Sequence, residues 1–235
     1  TFLLATLHLL TGSEPSGDIR VIKVQGPPAV IVMADGSTPP IRVNDVIPPG
    51  STVKTPADSS LKLLFANGAI LILQPRSELR LTRFASKDAL PMQTTTGHRP
   101  SELSKSHTDL DLQSGAALLD VPPLKKESKF QVTTPLGIAC IRGTSFFVQA
   151  EKNLALVGVV VGKVLATSLA GDSKMVGPGT TVAMTPAGFV EPSATGAALL
   201  EQTLNILQTL GPPAHNQTPA TPKSPSSRAS YKVSE

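Results

Sequence analysis

Apolar and polar positions alternate along most of this chain in short runs with a period of two, broken every few residues by Gly, Pro or Asn. The densest example is residues 129–149, KFQVTTPLGIACIRGTSFFVQ, where apolar and β-branched runs at 130–133, 138–141 and 145–148 are separated by Thr-Pro-Leu-Gly and Arg-Gly-Thr. Short runs bounded by Pro and Gly read as strands joined by tight turns. Pro135 fixes φ and lacks a donor, while Gly137 and Gly143 are open to backbone angles closed to other residues. Upstream, strands are predicted at 19–24, 29–33, 41–43, 51–54, 61–65, 70–73 and 78–84. Asn67-Gly68 falls between two of them and predicts a type I′ hairpin, whose two central residues both need positive φ. Within 78–84, Leu79 and Leu81 take one face and Glu78, Arg80 and Thr82 the other, the pattern of a half-buried strand. Downstream, strands are predicted at 109–112, 116–121, 154–161 and 163–167, with strand sequence over 175–184 broken by Gly177-Pro178-Gly179. The pattern is that of an all-β sandwich, barrel or solenoid-like stack.

Four segments depart from it. Residues 195–210 switch to helical spacing, with Leu200, Leu204 and Leu207 in line, Ala197 and Leu210 nearby, Thr195 as N-cap and Gly211-Pro212 as terminator. One amphipathic helix docked on the sheet is therefore predicted over 193–211. Residues 212–235 are rich in Pro, Ser, Thr and Lys and predict a disordered tail. Residues 86–106, with Pro91, Thr94-Thr95-Thr96-Gly97 and Pro100, read as a loop inserted in the β domain; His98, Arg99 and His107 give it the alternative of a functional loop. Residues 1–10, TFLLATLHLL, have the length of a secretory h-region and are too short to span a bilayer. Residues 1–12 are thus expected to be the remnant of a signal peptide or membrane anchor, followed by a linker at 13–18; an amphipathic helix packed on the domain is the alternative. Export from the cytoplasm follows from the first reading.

Composition narrows the function. In 235 residues, aromatics make up 3%, with no Trp and one Tyr, so the core must be built from Val, Ile, Leu and Ala, and a glycan site of stacked aromatic platforms is disfavoured. The 21 basic and 17 acidic side chains give a net charge of +4, but no basic helix and no interleaving of basic with aromatic residues occurs, which argues against nucleic acid. Cys140 is the only cysteine and sits among Ile138, Ala139 and Ile141, which predicts a small buried hydrophobe rather than a reactive thiol.

Catalytic motifs are missing: no Gly-x-Ser-x-Gly elbow, no His-Glu-x-x-His and no phosphate-cradling loop ahead of a helix. Asp109 and Asp111 project from one strand face, as a paired-carboxylate or cation site would need, although a solvated face explains them as well. The four histidines lack metal-ligand spacing, so neither a metal nor a cofactor is expected. Arg142, in a turn between apolar strands, is expected to satisfy several buried carbonyls with its five donors, the alternative being a ligand contact.

Thr134-Pro135, the small-residue run from Gly137 to Cys140, and Ile141-Arg142-Gly143-Thr144 ahead of Phe146 and Val148 resemble the T-P-x-G-x-A-x-V-R-G-T-x-F-x-V signature of FecR-type domains. An upstream half matches too: Asn44-Asp45 where the family has a Gly-Asp turn, then PPGSTVKT, then SSLKLLFANGAILIL with its Asn67-Gly68 hairpin. The resemblance covers about residues 19–184 and places a FecR-like β domain at 19–192. It implies a twisted, solenoid-like β-fold and a structural role for Thr134, Pro135, Gly137, Arg142, Gly143, Thr144, Phe146, Asn67 and Gly68. It further implies a non-enzymatic module, periplasmic or secreted or held at the membrane by its N-terminus, that signals or regulates through a protein partner in the cell envelope. In that family the domain passes an outer-membrane receptor's signal towards a cytoplasmic sigma factor. The alternative is an envelope structural module that binds polysaccharide or protein without any part in sigma-factor signalling.

Overall fold

The computed structural model of the chain describes residues 18–33, 36–88, 102–192, 198, 201 and 203–206. The apolar run at 1–12, His98 and Arg99 of the 86–106 loop, and the tail at 212–235 lie outside the described residues, as do most positions of the predicted helix.

Fifteen strands occur among the described residues: β1 (Ile19–Gln25), β2 (Val30–Val32), β3 (Thr52–Lys54), β4 (Ser60–Phe65), β5 (Ile70–Leu73), β6 (Glu78–Ser86), β7 (Ser106–Val121), β8 (Lys129–Thr134), β9 (Gly137–Ile141), β10 (Thr144–Ala150), β11 (Ala155–Val161), β12 (Val164–Ser168), β13 (Ser173–Val176), β14 (Thr180–Thr185) and β15 (Gly188–Val190). They form two leaves. Leaf A runs β2-β3-β6-β7-β8-β9-β12-β13 and leaf B runs β1-β4-β5-β7-β10-β11-β14-β15. The pairings are antiparallel except β7 with β8. The fold is all-β and sandwich-like, one sheet curled on itself so that its two halves share a strand.

That strand is β7. Its first half pairs with β6 and β8 in leaf A, and its second half pairs with β5 and β10 in leaf B. The passage occurs at Gly115, where φ is +85° and a Cβ would stand 2.2 Å from the Ser77 hydroxyl. Two separate strands at 109–112 and 116–121 were expected, because Ser114-Gly115 looks like a break; the ladder runs through it instead, the glycine serving as a bend within one strand.

The period-two pattern sets what each leaf buries. Leu79, Leu81, Leu110, Leu112, Val132 and Ile141 of leaf A meet Leu61, Leu63, Leu71, Leu119, Phe146 and Val157 of leaf B in a single core. Phe65 anchors one end, meeting Phe84 edge-on at 5.2 Å between ring centroids.

After β7 the chain moves between the leaves four times: at Pro122-Pro123, at Arg142-Gly143, at Gly162-Lys163 and at Gly177-Pro178-Gly179. These crossings stack as the turns of a solenoid do. A Cβ on Gly143 would lie 2.9 Å from Pro123 Cα, one on Gly162 would lie 2.5 Å from the Gly143 carbonyl oxygen, and Pro178 bridges Val159 in parallel.

Two local expectations change. Residues 41–43 form no strand: Ile41 is buried, but the donor-free pair Pro39-Pro40 leaves only an isolated bridge from Pro40 to Val30. At Asn67-Gly68 only the glycine has positive φ, at +85°, so the hairpin is not type I′. The turn is wider, with the Phe65 carbonyl accepting from Gly68 N–H, and Asn67 is buried within it.

Leaf B is apolar on its outward face as well. Leu118, Phe147, Leu156 and Ala183, on four adjacent strands, form a second cluster against which Ile206 of the C-terminal helix packs. Described residues of this helix are 198, 201 and 203–206, and its docked side is Thr203 and Ile206, whereas Leu204 is 42% exposed. The predicted face through Leu204 is therefore rotated away. Leu199 and Ile206 lie one position before Leu200 and Leu207, with Thr203 between them on the same side, so periodicity alone does not choose between the two faces.

Candidate functional site

The motif residues converge on the crossings. Thr134 is buried at the corner between β8 and β9, where its hydroxyl donates to the Gly137 carbonyl at 3.0 Å and accepts from Leu136 N–H at 3.3 Å. Pro135 is exposed at the tip of that corner. Gly137 lies against β12, leaving no room for a side chain: a Cβ would be 2.3 Å from the Thr167 carbonyl oxygen. Gly143, at φ +102°, makes the crossing from leaf A to leaf B. Thr144 is fully buried and donates to the Lys163 carbonyl at 2.9 Å, tying this crossing to the next one. Phe146 is in the core.

Asn67 and Gly68 are remote from that stack. Asn67 Nδ2 donates to Ser106 Oγ at 3.1 Å and its Oδ1 accepts from Ala69 N–H at 3.1 Å. Ser106 Oγ in turn donates to Glu102 Oε1 at 2.6 Å, so a buried polar chain joins the β4–β5 turn to the start of β7. Upstream, Asn44 adopts φ +76°, a left-handed conformation that Asn tolerates better than most residues.

Arg142 departs from expectation. It points outward, and its Nη1 donates to one exposed carbonyl, that of Lys126 in the turn before β8, at 2.9 Å. Cys140 also departs: inward Ala139 and Ile141 force it outward on β9, and it is exposed. Partial burial pushes its thiol above the ordinary value, the opposite of activation.

Asp109 and Asp111 of β7 do lie together on the outward face of leaf A. His107 Nε2 is 3.1 Å from Asp109 Oδ2, and Asp111 and Asp109 stand opposite Arg80 and Arg83 of β6. Among the described residues no group of three or more His, Cys, Asp or Glu side chains is placed to hold a metal. Clefts of about 740, 590 and 200 Å³ are lined by residues other than these.

The loop at 86–106 is pinned at both ends. Asp88 accepts from Leu103 N–H, Ser104 N–H and the Ser104 hydroxyl, the last at 2.7 Å. Burial alone would raise the Asp88 pKa, but these bonds, with Lys125 nearby, outweigh it and hold the carboxyl below its ordinary value.

Further along, leaf A's outward face turns apolar. Gln131, Cys140, Leu165 and Met175 stand opposite one another across β8, β9, β12 and β13. Beside them, Ile138 and Leu169 are also exposed. The row borders the 590 Å³ cleft, whose other side carries Lys129, Arg142 and Lys163. No described residue of the C-terminal helix lines this cleft, in contrast to the outward face of leaf B. The sequence signal for this surface was present but concealed, since Cys140, Leu165 and Met175 look like core residues when burial is inferred from apolarity alone.

Residues 51–165 match the family described as FecR protein. Among solved structures, a crystal structure of a candidate anti-sigma factor from Parabacteroides distasonis is 17% identical with a TM-score of 0.46, over 64% of this chain and 64% of that one. A second crystal structure so described, from the same organism, is 16% identical with a TM-score of 0.46, over 71% of this chain and 75% of that one. The chain thus spans 64% of the length of the first. No curated protein matches the chain.

Proposed function

We propose, from the match of residues 51–165 to the family described as FecR protein, that this chain is a non-catalytic regulatory module that acts outside the cytoplasm by binding another protein of the cell envelope. The observation that carries this reading is the uncovered apolar stretch on leaf A: Leu165 is 38% and Met175 58% exposed on a pleated surface whose counterpart in leaf B is partly covered by the chain's own helix. Apolar surface left open on one leaf and covered on the other marks a place for a partner. The polar residues support the same reading, because Asp109 is engaged by His107 and the buried hydroxyls of Thr134 and Thr144 hold turns together. Export is supported by the apolar run at 1–10.

The test has two parts. Fractionation of cells expressing the full reading frame, with mass spectrometry of the mature N-terminus, should recover the chain in the envelope or medium; recovery in the cytoplasm would remove the export reading. Deleting the gene and profiling transcripts should then change a defined set of genes if the module regulates. An unchanged transcriptome together with retention on purified cell-wall polysaccharide would favour the structural alternative.

A further inference from the structure

The three cations beside the apolar row are gathered at one end of β8, β9 and β12. Phe130 pairs with Ile141 and Ile141 pairs with Val164, all three facing inward. The exposed residues one step beyond these pairs, Lys129, Arg142 and Lys163, therefore lie at the same end of β8, β9 and β12 and line one cleft. Strands in a sheet are about 4.8 Å apart, so residues at the same end of three adjacent strands bring three like charges into one neighbourhood. Like charges held close together repel one another. Among the described residues no ion pair joins any of the three to a carboxylate: the nearest acidic strand, β7, has Asp109 held by His107. Arg142 is anchored by the Lys126 carbonyl, which fixes its position without neutralising it.

We propose that this cleft binds an acidic segment of the partner protein, with an apolar side chain seated on Cys140, Leu165 and Met175 and carboxylates placed against the row Lys129–Arg142–Lys163. The inference rests on the regulatory, protein-binding reading above and adds the chemistry of what is bound. Three observations select a peptide over other anions. The surface is a cleft of about 590 Å³, shaped for inserted side chains rather than for a flat bilayer. Its exposed floor is aliphatic and sulfur-bearing with no exposed aromatic ring, which disfavours a sugar platform. The apolar and cationic rows lie side by side, so a ligand must offer both characters at once, which an inorganic anion or a simple polyuronate does not.

The experiment uses the full chain. A photo-crosslinking amino acid is placed at Leu165 and, separately, at exposed Val43, in cells of the native host, and cross-linked peptides are sequenced by mass spectrometry. The expected product is a cross-link at 165 to a protein segment in which Asp or Glu flanks an apolar residue, with its yield cut at least about tenfold by Lys129→Glu/Lys163→Glu, which sets like charges against one another across the contact. In vitro, a fluorescein-labelled Glu-Leu repeat peptide should bind, more weakly as salt rises, and lose binding in Leu165→Glu. Lys163→Gln should raise the melting temperature while weakening the peptide, a combination that a purely structural lysine would not give. Protein captured at 43 and not at 165 would overturn the acidic-segment inference and leave the regulatory reading standing. Binding to phosphatidylglycerol vesicles or polygalacturonate with no binding of the peptide would also overturn it. Failure to capture protein at either position would remove the regulatory reading itself.

Discussion

Replacing Gly143 with Ala tests whether the crossings carry the fold. Two costs act at this position. At φ +102° any residue with a Cβ is held in a sparsely populated conformation, which costs about 1–3 kcal/mol. The new Cβ would also stand 2.9 Å from Pro123 Cα and 3.2 Å from Pro123 N. These are backbone atoms that cannot rotate aside, and overpacking of this kind costs a further ~1–3 kcal/mol. The loss of unfolded-chain entropy on going from Gly to Ala offsets about 0.4–1 kcal/mol, leaving a net of about 3 kcal/mol. Gly171, in the β12–β13 turn, is the matched control: its φ is +91°, yet nothing lies within 4 Å of a built Cβ. Gly171→Ala therefore carries the conformational cost alone, a net of about 1 kcal/mol. For a domain of this size each kcal/mol moves the melting temperature by about 2–4 °C, so the variants should fall by about 6–12 °C and 2–4 °C respectively. Thermal unfolding followed by circular dichroism, with urea midpoints alongside, separates the two. If both melt within 2 °C of each other, packing against Pro123 contributes nothing and the stacked-crossing argument is wrong.

Further outcomes follow from single contacts. Asn67→Ala leaves the buried Ala69 N–H without its acceptor and unlinks Ser106, and should lower stability by about 2 kcal/mol in urea titration; no change would mean that the glycine alone specifies that turn. Thr144→Val keeps the side-chain volume but orphans the Lys163 carbonyl, for an expected loss of about 1 kcal/mol by the same assay. Because hydrogen bonds depress the Asp88 pKa in the fold, its stabilising contribution is complete above the unfolded carboxylate value and is lost as pH falls through the lower folded value; a carboxyl NMR midpoint at or above the ordinary 3.8 would refute this. Cys140 should be alkylated by iodoacetamide more slowly at pH 8 in the folded chain than in urea, its thiol being raised above 9.0.

Most strands were legible because period-two alternation survives wherever one face is wet. Glu78–Ser86 is the clearest: Leu79 and Leu81 are buried, and Arg80 and Thr82 exposed, as the pattern requires. The motif around Thr134 and Gly143 was legible as turns, because Pro and Gly act locally. Features decided by distant partners were hidden. Ser114-Gly115 looks like an ordinary break, and only pairing with both leaves reveals one continuous β7. Apolar neighbours predict inward roles for Cys140 and Arg142, while the alternation about Ala139 and Ile141 turns both outward. The helix was legible as a helix, but its docked face depended on the outward stripe of leaf B, whose members sit on four different strands.

Sharing β7 between the leaves has a consequence for how the molecule opens. Its backbone is hydrogen-bonded on both edges for most of its length, to β6 and β8 before Gly115 and to β5 and β10 after it. Neither leaf can be completed until this strand has docked, and neither can be released while the strand stays in place. Amide hydrogen exchange should therefore report one cooperative unit spanning both leaves, with β7 exchanging only through global unfolding and the edge strands β1, β2, β13 and β15 fraying independently.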